Sequence, residues 1–175
     1  MKVTNPRTGQ YYFSKRRKRI DAGGHARGLT FSCYKRYPFL GRDRTCQWFI
    51  EALLSARQQF PIDLWAYVIM PEHVHLLVYP RVRGLEVGRV AGKIKERVAR
   101  SAIRFLAEHA PDWLPRITVT EGKRIRRRFW QAGGGYDRNA VELGTVRKMI
   151  DYIHENPVRR GLVTRAEDWY WSSAR

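Results

Sequence analysis

Two imidazoles one residue apart, His73 and His75, are the side chains here whose type and spacing best suit holding an ion. They lie in Met70-Pro71-Glu72-His73-Val74-His75-Leu76-Leu77-Val78, a run of β-formers in which alternate side chains share a face. Both rings can then reach one divalent ion. Val74, Leu76 and Val78 fall on the opposite face and can enter a core, and Pro71-Glu72 reads as the tight turn delivering the chain into the strand. A His-x-His pair alone is weak evidence, because strands also carry histidines that only hydrogen-bond or face solvent.

A second pair lies near the C-terminus. Leu143, Val146, Met149, Ile150 and Ile153 recur at helical spacing, and Asn139 followed by Glu142 resembles a capping box that starts a helix at about Ala140. Asn156 precedes Pro157, which disfavours a further helical residue and ends the helix there. At about 100° per residue, Tyr152 lies roughly 130° from the centre of the apolar stripe and Asn156 roughly 90° from it. The core does not need Tyr152, which on this helix alone reads as a surface aromatic. Being i,i+4 neighbours, however, Tyr152 and Asn156 can present a phenol and an amide side by side. His154 lies on the other flank and reads as a packing or surface residue.

Composition bounds what such groups act on. The 175 residues include 34 Lys+Arg against 16 Asp+Glu, a net charge of +18. That excess points to a polyanionic partner, and nucleic acid is the usual one. No apolar run approaches the ~20 residues of a membrane span, and the basic N-terminal segment has no apolar stretch after it. The expectation is a cytoplasmic, nucleoid-associated protein with no membrane partner. Cys33 and Cys46 form no C-x-x-C pattern and read as buried free thiols.

Residues 1–24 carry Lys15-Arg16-Arg17-Lys18-Arg19 and read as a basic arm, with Arg16 and Arg17 as candidate phosphate contacts. Residues 25–175 then form a single domain. Leu29 to Tyr34 is the first strand, and a helix follows from about Asp43 to Phe60. Ile62–Met70 is a nearly continuous apolar strand of the kind found centrally in a sheet, forming a hairpin with the histidine strand. A second amphipathic helix runs from about Leu85 to His109, its charges mostly a solvated face. Ile117 to Thr120 is the candidate fourth strand, with Phe129-Trp130-Gln131 the alternative. Between them lies Lys123-Arg124-Ile125-Arg126-Arg127-Arg128, whose cations Lys123, Arg124, Arg126, Arg127 and Arg128 are candidate nucleic-acid contacts. Strand, helix, strand, strand, helix, strand predicts an α+β fold: a ferredoxin-like βαββαβ sandwich, its antiparallel sheet with helices on one face, plus the C-terminal helix.

The segments from Ala66 to Leu77, Phe129-Trp130-Gln131, Gly135-Tyr136-Asp137-Arg138, Asp151 to Val163, and Trp169-Tyr170-Trp171-Ser172-Ser173 together resemble the REP-associated tyrosine transposases, single-tyrosine members of the HUH endonuclease superfamily. The match keeps order and spacing from about Leu29 to Ser173, and departs from the common pattern in the long basic arm. The resemblance implies that His73 and His75 are metal ligands, that Tyr152 is the nucleophile, and that Asn156 completes the metal site. It implies a divalent cofactor, Mg²⁺ or Mn²⁺, and a single-stranded DNA partner with palindromic hairpins, acted on by a monomer or homodimer.

The reaction so implied is strand cleavage by transesterification, with a 5′-phosphotyrosine intermediate that a second 3′-hydroxyl can reverse. Two imidazoles and an amide suit manganese better than magnesium on ligand grounds. An unpaired strand can cross a sheet and stack on aromatics. Phe129, Trp130, Tyr136, Trp169 and Trp171 are the candidates, although most of the six tryptophans read as core or lid packing. Two rival readings remain: a hairpin-binding module that does not cut, and a small-molecule metal hydrolase. The hydrolase explains neither the charge nor the Tyr152 helix.

Overall fold

The computed structural model describes residues 2–4, 11–13, 24–133 and 136–175. At its centre is the hairpin of β4 (Ile62–Met70) and β5 (His73–Pro80), joined by Pro71 and Glu72 with Met70 opposite His73. Leu76 and Leu77 are both fully buried, so β5 is covered on both faces. On its other side it pairs with β3 (Ala26–Ser32), and β3 pairs in turn with β8 (Tyr136–Ala140). The order β4-β5-β3-β8, antiparallel throughout, is the ferredoxin-like arrangement read from the sequence.

The two faces are filled differently. Val74, Leu76 and Val78 pack with Leu29 and Phe31 under α1 (Asp43–Gln59) and α2 (Val87–His109), contributing Phe49, Leu53, Val90, Ile94 and Val98. Ala66, Val68, Met70 and Leu77 face the other way, against Ile153, Met149 and Ile150 of α4 (Leu143–Arg159). Cys33 and Cys46 lie buried in the first core, and burial pushes both thiols up to about 12. Lys93 and Arg100 on the outer face of α2 both contact the exposed Glu96.

Four expectations need correction. The fourth strand is Tyr136–Ala140. Thr118–Glu121 (β6) follows the short α3 (Trp113–Ile117) and pairs with β7 (Arg124–Arg127) as a separate hairpin; Phe129 and Trp130 are core residues, with only Trp130 making a bridge to Cys33. The helix start is likewise displaced, because Asn139 lies in β8 and accepts a hydrogen bond from Arg27, its cross-strand neighbour. Glu142 becomes the N-cap residue, and Leu143 is exposed.

Pro157 does not end the helix at Asn156, since α4 continues to Arg159. A proline lacks only its own N–H, so one intrahelical bond is lost and the two following residues still complete the last turn. Finally, β4 is an edge strand. Its apolar run reflects cover on both faces, and its free edge is closed by the C-terminal segment: Ile69 N donates to Trp171 O and Ser173 N to Tyr67 O.

Within the segment read as an arm, β1 (Lys2–Thr4) and β2 (Tyr11–Phe13) pair antiparallel, while Arg16 and Arg17 lie outside the described residues. Gly134 and Gly135 are also outside them. Among the described residues no helix is long and apolar enough to cross a membrane.

Candidate active site

Period-two alternation turns His73 and His75 toward α4, the face opposite Val74 and Leu76. Both are 8% exposed, and their Nε2 atoms meet at 3.1 Å. Each Nδ1 has its own partner: Glu72 Oε1 lies 3.2 Å from that of His73, and Thr30 Oγ1 lies 2.7 Å from that of His75. Thr30 is brought there by register, since it pairs with His75 across β3 and β5.

Electrostatics fix much of the proton arrangement. Burial opposes ionisation of Glu72, but a 2.8 Å bond from Arg160, together with the Arg160 charge, outweighs it and holds the carboxyl below its ordinary value. An ionised carboxylate only accepts, so Nδ1 of His73 carries the proton and its Nε2 presents a lone pair. Burial lowers the proton affinity of His73 despite Glu72, and takes His75 down to about 4, with His73 adding to the effect. Both rings are therefore neutral at pH 7. The 3.1 Å contact then needs a proton on His75 Nε2 or a cation shared by the two nitrogens. The Thr30 hydroxyl suits both states, because it can donate to Nδ1 or accept from it.

Tyr152 is carried to this face by α4. Its ring lies edge-on to His75 with centroids 5.5 Å apart, and it is 47% exposed. The Arg159 guanidinium sits 5.1 Å from its centroid. One turn on, the buried Asn156 donates from Nδ2 to Tyr152 O at 2.7 Å. A carbonyl can only accept, which leaves Oδ1 as the acceptor end of the amide. His154 points elsewhere, to Ser173 Oγ at 2.9 Å.

Between β3 and α4 a cleft of about 620 Å³ opens beside the Tyr152 ring, with Thr30, His75, Arg138 and Lys148 in its lining. Gly28 also lines it, and a Cβ there would fall 2.2 Å from the terminal methyl of Met149. Thr30, Glu72, Arg138, Lys148 and Arg160 were missed in the sequence. Only Arg160 left a local signal, lying on one helical ridge with Tyr152 and Asn156 at i, i+4 and i+8.

The remaining candidates are elsewhere. Lys123, Arg124, Arg126 and Arg127 are exposed on the β6–β7 hairpin, where Arg126 approaches Glu121 at 3.9 Å and Arg128 pairs with the same carboxylate. Of the proposed stacking aromatics, Phe129 and Trp130 are buried. Trp169 donates to Ile69 O and Trp171 to Asp43 Oδ1. The side chain of Tyr136 is outside the described residues. No group of three or more His, Cys, Asp and Glu side chains among the described residues is arranged to hold a metal.

Fold and site together define an antiparallel ferredoxin-like sheet carrying a paired-histidine centre, faced by a tyrosine on a separate helix. No family model matches the chain. It is 27% identical over 126 residues to a Haemophilus influenzae protein named as a REP-associated tyrosine transposase, a match covering 71% of this chain and 66% of that protein. Its fold is that of a REP-associated tyrosine transposase solved bound to a REP hairpin. The TM-score is 0.69 at 20% identity, over 91% of this chain and 82% of that one. The resemblance read from the sequence thus extends to both a curated relative and a solved fold.

Proposed function

We propose that this chain is a metal-dependent, single-strand DNA endonuclease and transposase that cuts and rejoins DNA beside short palindromic hairpins. The observation that carries the proposal is the edge-on contact of Tyr152 with His75, whose Nε2 is paired with that of His73. A half-exposed phenol thus lies edge-on to one of two convergent neutral imidazoles. It is the arrangement a tyrosine nucleophile and a phosphate-orienting centre require. The relatives add the substrate class, since one of them is a transposase bound to a REP hairpin.

In this reading His73 and His75, with Asn156, would hold Mg²⁺ or Mn²⁺. The bound ion supplies Lewis-acid polarisation of the phosphate oxygens. The chain's own groups do the rest. Arg159, Arg138 and Lys148 place positive charge around the cleft and draw the strand into it. Tyr152 Oη attacks the backbone phosphorus as its proton leaves; the P–O3′ bond breaks, the 3′-oxygen takes up a proton, and a 5′-phosphotyrosine remains. A 3′-hydroxyl from a second end reverses the exchange and joins the strands. The β6–β7 hairpin grips the backbone of the stem through Lys123, Arg124, Arg126, Arg127 and Arg128. Such an enzyme would act in the cytoplasm, at the nucleoid.

The test uses a labelled single-stranded hairpin with Mn²⁺ and a denaturing gel. A covalent protein–DNA species is expected with the natural chain and none with Tyr152→Phe, whose binding should be retained. An adduct that survives the substitution would identify another nucleophile.

A further inference from the structure

On the face of the sheet away from Tyr152, a second cleft of about 290 Å³ lies between α1, α2 and α3. Phe39, Trp48, Phe105, Trp113 and Phe129 line it, with Arg42 at the edge. Its walls are unusually aromatic. Phe39 stacks on Phe129 at 5.1 Å with the rings 23° apart, and Trp113 stands edge-on to Phe39 at 5.4 Å. Two of these rings already carry guanidinium groups: Arg44 lies 4.1 Å from the Phe105 centroid and Arg116 4.9 Å from that of Trp113. Pockets that enclose whole drug-sized ligands run to ~300–1,000 Å³, so this one suits a single planar group.

The chain leading to it comes directly from the histidine site. β3 ends at Ser32, opposite His73, and Cys33 N donates to Glu72 O. The next turn places Lys35 and Arg36 at φ 51° and 54°, a left-handed conformation that non-glycine residues adopt at a cost. That conformation is held by Arg36 N to Cys33 O and Tyr37 N to Tyr34 O, and both side chains stay exposed. The turn then delivers Pro38 and Phe39 to the cleft. Two exposed cations thus lie on the chain segment that joins the histidine end of β3 to the cleft.

We propose that this aromatic cleft is a nucleobase site: it takes one unpaired base of the DNA strand that crosses the histidine pair, with Lys35 and Arg36 contacting the backbone between them. The inference rests on the single-strand DNA reading above. An apolar protein segment would be served by the rings but not by the cations around them. A base with its phosphate uses both, through stacking and charge. Arg42, Arg44 and Arg116 at the cleft outnumber Asp43 and Asp112, the acids next in sequence to its lining residues Arg42 and Trp113.

The experiment scans the unpaired flank of a hairpin oligonucleotide with single abasic positions, reading affinity by fluorescence anisotropy for the natural chain, Trp113→Leu and the exposed-cation variant Arg42→Ala/Arg116→Ala. One position is expected where loss of the base weakens binding roughly tenfold, as the worth of one stacked base implies. Trp113→Leu should weaken the intact oligonucleotide by the same factor and lose nothing further at that position. If Trp113→Leu does not fold, the arginine pair should show the same non-additivity in weaker form. Additive losses at every position, with normal hairpin binding and Tyr152 adduct formation, would overturn the cleft proposal alone. Absence of any DNA binding by the natural chain would overturn both readings. A dimer dissolved by Trp113→Leu would assign the cleft to a second copy and overturn the base site.

Discussion

Arg160 donates to Glu72 Oε1 at 2.8 Å, and the same oxygen lies 3.2 Å from His73 Nδ1. One carboxylate therefore links the end of the tyrosine-bearing helix to one of the paired imidazoles. The bond does two things at once. It keeps Glu72 ionised, which fixes the His73 tautomer, and it ties α4 to the β4–β5 turn.

Removing that link should be felt at the ion site before it is felt in the fold. Arg160 is half-exposed, so Arg160→Ala is expected to fold. Mn²⁺ affinity should nevertheless fall, by less than the roughly 10–100-fold that losing Glu72, the direct outer partner of His73, would cost. Titration calorimetry with Mn²⁺ reads this directly, and unchanged affinity would show that Glu72 orients His73 without help.

The neutral imidazoles predict how stability follows pH in the metal-free protein. Burial takes His75 from 6.5 to about 4, so between those values the unfolded chain binds more protons than the folded one. Stability is then fully present above about pH 6.5 and is lost as pH falls toward 4, by on the order of 3 kcal/mol from this group. Denaturant melts in EDTA at about pH 7 and about pH 5 should differ by about 2 kcal/mol from this group, and His75→Gln should flatten the difference. A protein equally stable at both values would mean that His75 is protonated in the fold.

Asn156 carries a separable structural role. Its Nδ2 bond to Tyr152 O is buried, so Asn156→Ala should cost about 1 kcal/mol in a urea melt, as well as weakening Mn²⁺ binding. Asn156→Asp removes the donor but keeps an oxygen. It should show the stability loss while retaining metal affinity, and equal metal loss in both variants would remove the amide from the ion site.

The exposed β6–β7 hairpin makes a prediction about salt. Replacing Arg124, Arg126 and Arg127 by alanine should leave the melting temperature within about a degree or two, because the hairpin forms its own sheet and these side chains lie in solvent. The slope of log affinity against log salt for a hairpin oligonucleotide should become shallower by about 0.7–0.9 for each phosphate that the protein no longer neutralises. An unchanged slope would place the DNA elsewhere on this cationic surface.

Much of the molecule was legible in its sequence, and the reason is local. Alternation around His73 and His75 states which residues share a face. Helical spacing in 43–60 and 85–109 gives two helices whose observed bounds, Asp43–Gln59 and Val87–His109, differ by a residue or two. Pro71-Glu72 marks a hairpin turn. The net charge of +18 points to a polyanionic partner before any fold is known. These signals persist because each depends on neighbours within a few residues.

Tertiary structure decided which pieces meet. Thr118–Glu121 has the composition of a sheet strand, yet it pairs with the arginine strand beside it, while the polar Tyr136–Ala140 takes the place next to β3 through backbone bonds that side-chain pattern does not encode. Asn139 looks like a cap in sequence and is a partner of Arg27 in space. Most consequentially, the periodicity of α4 says only that Tyr152 is off the apolar stripe. That it lies against His75, with Thr30 and Glu72 behind the imidazoles and Arg160 closing the circuit, follows from docking α4 on the histidine face of the sheet. Contacts between residues 45 to 112 positions apart are set by packing of whole elements, and no local pattern records them.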